Sequence, residues 1–240
     1  MRADKFLVEH RYFESRAQAQ AAIKAGKVRV NGQLLPKAST PLSEQDEIEA
    51  ARAHPWVSRG GIKLAHALKT FDIDVAGMIA LDVGASTGGF TDVLLTRGAS
   101  KVYAVDVGHD QLHAKLKNDP RVISMEGQDA RKLRTDMFDP LPRIIVCDAS
   151  FISAMKVLGA ALDLALKGSQ LITLVKPQFE VGPDGIGKGG LVKSRSLSDQ
   201  ALSDVSAWVS AKGWQAEKAV SSPIKGGSGN REFLLYAVKQ

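Results

Sequence analysis

Long apolar runs are missing from this chain. Its most apolar helix candidate, residues 157–166, is short and interrupted by Asp163, so no segment approaches the length of a membrane span. The first residues, Met1-Arg2-Ala3-Asp4, lack the apolar core of a secretory signal. Cysteine is nearly absent. Cys147 alone cannot form an intramolecular disulfide, which favours a reducing, cytoplasmic setting. Repeats and low-complexity tracts are also lacking. Two smaller absences remove specific chemistries. "GPDGIGKGG", residues 182–190, offers Gly182 and then Gly187-Lys188, but no Ser or Thr follows the lysine. Glycines stand where a phosphate-binding loop would open a helix, so the stretch reads as a mobile loop at the rim of a site. "HDQLH", residues 109–113, spaces His109 and His113 four apart beside Asp110, yet no third ligand accompanies them. Solvated histidines on a helix are the expectation there, and no metal is expected.

Basic residues are present in excess, and unevenly. The formal charge is +6, and residues 1–40 hold eight Lys/Arg against three acids, close to the whole surplus. Such a balance permits a nucleic-acid partner without proving one. With 240 residues, 44% hydrophobic and 24% charged, the chain has room for one ordinary domain and a small appendage.

The appendage is written first. In "SRAQAQAAIKAGKVRVNG", residues 15–32, Ser15 is a helix N-cap candidate before an Ala/Gln-rich helix that ends at Gly26. "KVRV" alternates as a strand, Asn31-Gly32 signals a hairpin turn, and "DEIEA" supplies a return strand. Two short helices and a small β unit result. Arg2/Asp4, Ser15-Arg16 with Ala19, Ile23 through Gly32, and Asp46/Ile48 together resemble the S4 RNA-binding domain. That resemblance implies helices that lay basic side chains on RNA phosphates with little base reading. The candidates are Arg2, Lys5, Arg16, Lys24 and Lys27.

Residues 51–59, "ARAHPWVSR", read as a linker between a domain at 1–50 and one at 60–240. Beyond an amphipathic helix, "GGIKLAHALKTF", strand and helix alternate. Strands fit at 78–83, 101–106, 121–125, 143–148 and 170–175, and helices at 88–97, 110–117, 152–167 and 198–212. Two last strands, 214–221 and 232–238, have no long helix between them. The expectation is an α/β fold: a mostly parallel, seven-stranded sheet covered on both faces, with an antiparallel hairpin at one edge. That is the shape of a Rossmann-like methyltransferase.

"LDVGASTGGFTDVL", residues 81–94, follows the first of these strands and opens a helix. Its glycines, Gly84, Gly88 and Gly89, let the backbone turn tightly and approach a ligand. The spacing is Gly-x-x-x-Gly-Gly after Asp82, not the Gly-x-Gly-x-x-Gly of a dinucleotide fold. An acid beside the loop would repel a pyrophosphate but can pair with the amino group of a methionine moiety. Asp106 ends the second strand, where an acid commonly holds ribose hydroxyls, and Asp129-Ala130 follow the third, placed to meet an adenine edge. The cofactor expected is S-adenosylmethionine, with Ala85, Ser86, Phe90 and Val107 completing its candidate site.

Four ionisable residues stand where chemistry gathers in an open sheet: Lys63, Asp148, Lys176 and Glu232. A ribose 2′-hydroxyl is a poor nucleophile, and a lysine in a partly dry pocket is a reasonable base for it. Lys176 is the oddest of the four, a charge directly after the apolar run Leu171–Val175 and directly before Pro177. The four resemble the Lys-Asp-Lys-Glu tetrad of RrmJ/FtsJ-like RNA 2′-O-methyltransferases. With "WVSRGGIKL", "LDVGASTGGFT", "DASFIS", "LVKPQFE" and "GNREF", the whole chain resembles the TlyA family, haemolysin-like proteins that methylate ribosomal RNA on cytidines. The resemblance implies Lys176 as base or hydroxyl-orienting amine, Asp148 and Glu232 holding it and the ribose, and Lys63 completing the network. Phe151 would stack on the target nucleotide and Arg59 would contact RNA. It implies ribosomal RNA or ribosomal subunits as partner, with no membrane and no obligate protein partner. The alternatives are a non-catalytic ribosome-assembly factor and a membrane-acting haemolysin, which would need an insertable segment that the chain lacks.

Overall fold

Ser15 caps its helix as the pattern suggests, its hydroxyl accepting the backbone N–H of Gln18 at 3.3 Å. The computed structural model describes residues 1–240, which divide into two units, Met1–Pro55 and Trp56–Gln240. In the smaller unit, α1 (Ala3–Glu9) and α2 (Arg16–Lys24) precede three short strands, β1 (Val28–Val30), β2 (Gln33–Leu34) and β3 (Ile48–Ala50). The strands lie in the order β2-β1-β3, all antiparallel. Asn31 and Gly32 turn the first hairpin at φ of 51° and 77°, the positive values that this two-residue turn requires. Phe6, Leu7, Ala19, Ala22, Ile23 and Val28 close its core.

The larger unit takes in residues 56–59, which the sequence assigned to a connector. Trp56 packs beside Gly61, where any side chain would strike the indole, so the glycine allows helix and tryptophan to touch. There follow α3 (Gly60–Phe71), β4 (Ile79–Val83), α4 (Gly89–Thr96), β5 (Lys101–Asp106), α5 (Ala114–Lys117), β6 (Val122–Glu126) and β7 (Ile144–Cys147). Then come α6 (Ala154–Val157), α7 (Gly159–Asp163), β8 (Gln170–Val175), α8 (Pro177–Glu180), α9 (Arg195–Ala211), β9 (Trp214–Ser221) and β10 (Phe233–Lys239). The sheet order is β6-β5-β4-β7-β8-β10-β9. Strands β4 to β8 run parallel, and β10 runs antiparallel to both its neighbours. Apolar residues of alternate parity feed two cores, one on each face. Leu81 and Val83 pack with α6, α7 and α9, while Ala80 packs with α3 and α4. This is the Rossmann-like methyltransferase sheet, with its antiparallel edge.

Three expected elements differ. The helix expected over 110–117 begins only at Ala114, because Asp110 takes a left-handed φ of 53° that no helix continues. His113 caps that short helix by accepting the Lys115 N–H at 3.2 Å, so His109 and His113 do not share a helical face. The helix expected over 152–167 is two short ones, α6 and α7, parted at Leu158-Gly159, where glycine is the weakest former in the segment. The loop at 182–190 holds two 3₁₀ turns and folds on itself. Gly187 N–H donates to Leu191 O at 2.7 Å, and Ile186 bridges Val192.

Candidate functional site

The carboxyl ends of β4, β5, β7 and β8 open on two adjoining cavities of the larger unit. Gly84 leaves β4 at φ 79°, and a Cβ there would lie 2.8 Å from Ala149 Cα, so only glycine lets the two strand ends approach. Ser86 also takes a positive φ, 47°, and its N–H donates to Asp106 Oδ2 at 2.8 Å. Gly108 N–H donates to Asp106 Oδ1 at 2.7 Å, so that carboxylate is fixed across the mouth of β5.

The first cavity, about 630 Å³, runs past Gly84, Ser86, Asp106, Val107, Asp129, Ala130 and Ile152. Its wall mixes apolar surface with acids. Val107 is 72% exposed on that wall and offers it apolar surface. Asp129 is paired with Arg131, Nε to Oδ1 at 3.0 Å and Nη2 to Oδ2 at 2.8 Å, which holds its carboxyl down to about 2. Fixed carboxylates at successive strand ends, an apolar wall and a glycine turn suit a nucleoside with a cationic amino-acid tail. They suit a pyrophosphate badly.

The second cavity, about 320 Å³, shares Gly84, Ser86, Asp148, Ser150 and Phe151 with the first. It gathers the four ionisable candidates from four distant segments. Lys63, on α3, donates to Glu232 Oε2 at 2.7 Å and stands 3.7 Å from Asp148 Oδ1. Lys176 Nζ stands 2.6 Å from the same Asp148 Oδ1 and donates to Ser150 Oγ at 2.7 Å and Asp148 O at 3.0 Å. Two cations and two anions alternate, and the Lys63, Lys176 and Glu232 side chains are at most 7% exposed. In such a buried set each charge depends on its neighbours, and removing one strands the rest. Lys176 keeps an extended backbone, φ −109° and ψ 95°, as the following Pro177 requires. Gly226 has no side chain because a Cβ would meet the Glu232 carboxylate. Arg59 and Phe179 complete the rim, and Phe151 stands over it 92% exposed, at φ 64°.

Residues 56–239 match the FtsJ-like methyltransferase family, and residues 1–48 match the S4 domain. The chain is 43% identical to the 16S/23S rRNA (cytidine-2′-O)-methyltransferase TlyA of Mycobacterium tuberculosis, over 98% of this chain and 88% of that one. The chain belongs to the TlyA family. It is also 41% identical to Hemolysin A of Brachyspira hyodysenteriae, over 99% of this chain and all of that one. A solved structure of a hemolysin-named protein from Streptococcus thermophilus matches with a TM-score of 0.79 at 40% identity, covering 100% of this chain and 88% of that one.

Within this TlyA-family chain, Ala85, Ser86, Gly89 and Phe90 line the second cavity. Gly88 and Asp82 line neither. Gly88 lies under Leu112 and Leu116, and its φ of 90° makes the turn into α4. Asp82 has the parity of Ala80, so its side chain points between β4 and α4 instead of towards the strand ends. It is wholly buried there, Oδ2 accepting the Thr91 hydroxyl at 2.7 Å, and burial pushes its carboxyl up to about 7. The expected pairing of Asp82 with a methionine amino group has no geometry to support it.

In the smaller unit, Arg2 and Arg16 turn first to the buried Asp4, at 3.1 and 2.7 Å, and Gln20 joins them at 2.7 Å. Both arginines stay about half exposed, at 50% and 53%. Lys5, Lys24 and Lys27 are exposed. The expectations above missed Ser150, Ser58, Gln178 and Phe179, all in the second cavity wall. Ser58 and Ser150 adjoin flagged Arg59 and Phe151, and Gln178 and Phe179 lie two and three positions beyond Lys176, but a neutral side chain carries no signal of its own. No group of three His, Cys, Asp or Glu side chains converges as a metal site, and no helix is long and apolar enough to cross a membrane.

Proposed function

We propose that this methyltransferase transfers a methyl group from S-adenosylmethionine to the ribose 2′-hydroxyl of ribosomal RNA, at cytidine, through Lys63, Asp148, Lys176 and Glu232. The observation that carries the reading is Lys176 at the β8 end, drawn to Asp148 where the two cavities join. When bound, S-adenosylmethionine supplies a methyl group on a cationic sulfur, whose departure as a neutral thioether needs no protein acid. Asp106, Val107 and Ala130, with the turn at Gly84–Ser86, would hold it in the first cavity. The second cavity would take the ribose.

There Lys176 donates to Asp148 O and Ser150 Oγ and is ion-paired with Asp148 Oδ1, so its ammonium is built to orient an incoming hydroxyl oxygen in place of one of those acceptors. To take the 2′-proton it must first give one up, and Asp148 stands closest. Lys63 and Glu232 keep this pair neutral overall and fixed in place. Phe151 stacks on the target base, and Arg59 with the basic helices of the S4 domain hold phosphates. A ribosomal substrate places the protein in the cytoplasm.

K176M tests the assignment. Cofactor and RNA binding should persist while methyl transfer is lost, and transfer by the variant would sink the reading. Mapping 2′-O-methyl marks on ribosomal RNA with and without the protein then identifies the nucleotide.

A further inference from the structure

One short turn of chain holds both ends of the loop that displays Phe151. Lys176 grips the front, through Asp148 and Ser150. Glu180, at the end of α8, grips the back: Oε2 accepts the Ser153 hydroxyl at 2.6 Å and Oε1 accepts the Ala154 N–H at 2.7 Å. Between these anchors Phe151 has φ 64°, a left-handed conformation that a bulky side chain rarely adopts, and it is 92% exposed. Its ring centroid lies 5.5 Å from that of Phe179, on the same α8 turn that carries Glu180. A strained backbone and a solvated phenyl ring are both unfavourable, and they persist only where the surroundings over-determine them. Glu180 is part of that surrounding. It lines neither cavity, and the methyl-transfer reading gives it no task.

We propose that Glu180 is a positioning residue for RNA engagement: it holds the strained Phe151 loop so that the ring stands over the cavity mouth as a platform for the target base. The proposal rests on the methyl-transfer reading and on Phe151 as its stacking residue. If Glu180 were only a cap for α6, its loss would lower stability without any coupling to Phe151.

The experiment measures RNA KM, kcat, cofactor Kd and melting temperature for E180A, E180Q, F151A and the double variant F151A/E180A. E180A is expected to raise the RNA KM about tenfold, with kcat and cofactor Kd within about twofold, because two strong bonds to the loop are lost. E180Q should recover most of that loss, since its oxygen can still accept the Ala154 N–H and its amide can donate to Ser153 Oγ. F151A should raise KM as E180A does, and the double variant should be no worse than F151A alone, the signature of one residue acting through the other. An unchanged KM in E180A, or additive losses in the double variant, would overturn the proposal. So would an F151A variant of normal KM, and in that case a silent K176M leaves the methyl-transfer reading standing. Should E180A fail to fold, S153A removes one of the two bonds and must show the same dependence on Phe151.

Discussion

Two aspartates, each clasped by two basic side chains, organise the two units of this protein. Asp4 lies wholly buried between Arg2 and Arg16, and Asp148 lies between Lys63 and Lys176. The likeness ends at what the partners face. Around Asp4 the arginines come from nearby chain, stay half exposed, and hold the carboxyl well below the usual carboxylate range. Around Asp148 the lysines come from α3 and the end of β8, are almost wholly buried, and border a cavity. One cluster ties a small fold together with its arginines bonded inward to Asp4 and half exposed. The other confines charge beside an empty volume, which is what chemistry on a bound group needs. Charge pairing alone does not separate structure from function; its surroundings do.

That contrast breaks most sharply at Lys176. K176M should lower methyl transfer by at least about a thousandfold, the scale of losing a positioned acid–base group, and should also lower the melting temperature because Asp148 loses a buried cation. A variant of normal rate in a single-turnover assay would place Lys176 beside Asp4 as structure. Removing Lys63 should do double damage, since Glu232 and Asp148 then lose a shared cation. K63M is expected to cost about 3 kcal/mol in stability by denaturant unfolding, along with rate. D4N, by contrast, should lower the melting temperature and weaken RNA binding while leaving kcat on a saturating substrate as it was. A fall in kcat would erase the distinction between the clusters.

Asp82 sharpens the same point, as a buried acid with no cation beside it. Its folded-state value near 7 lies above its ordinary 3.8, so its contribution to stability is full below about pH 4 and falls as the pH rises. Above about pH 7 both folded and unfolded states are ionised and the slope ends. D82N removes that titration, so its stability relative to the parent should rise between pH 4 and 7, by about 1.4 kcal/mol per unit of displaced pKa at most. Equal pH profiles by thermal melting would contradict it. The smallest effect is expected at the exposed lysines of the S4 domain. Replacing Lys24 and Lys27 with alanine should flatten the salt dependence of RNA binding by a slope of roughly 0.7 to 0.9 per lost phosphate contact, with transfer at saturation retained.

The sheet was legible because its signals are local. Most strands are short apolar runs, several turns are marked by glycine or proline, and the antiparallel edge followed from two strands with no long helix between them. The misjudged elements were set by single residues whose backbone state no pattern announces, such as Asp110 at a positive φ. The lining of the first cavity was legible in part. Asp106 and Asp129 line the first cavity beyond β5 and β6, whereas Asp82 lies two positions short of Gly84 at the end of β4, so its side chain is buried against α4.

The sequence by itself determined the order of elements, the strand ends and the charged residues placed at them, since these depend on periodicities of two and 3.6 residues that short stretches express alone. It could not say that Lys63 and Glu232, 169 residues apart, would touch. Only the tertiary structure decided that, and with it which aspartate would face a cavity and that a lysine after an apolar strand would find an ion pair and two hydrogen-bond acceptors. Contacts of that kind arise when distant segments pack together, and packing is a property of the whole chain.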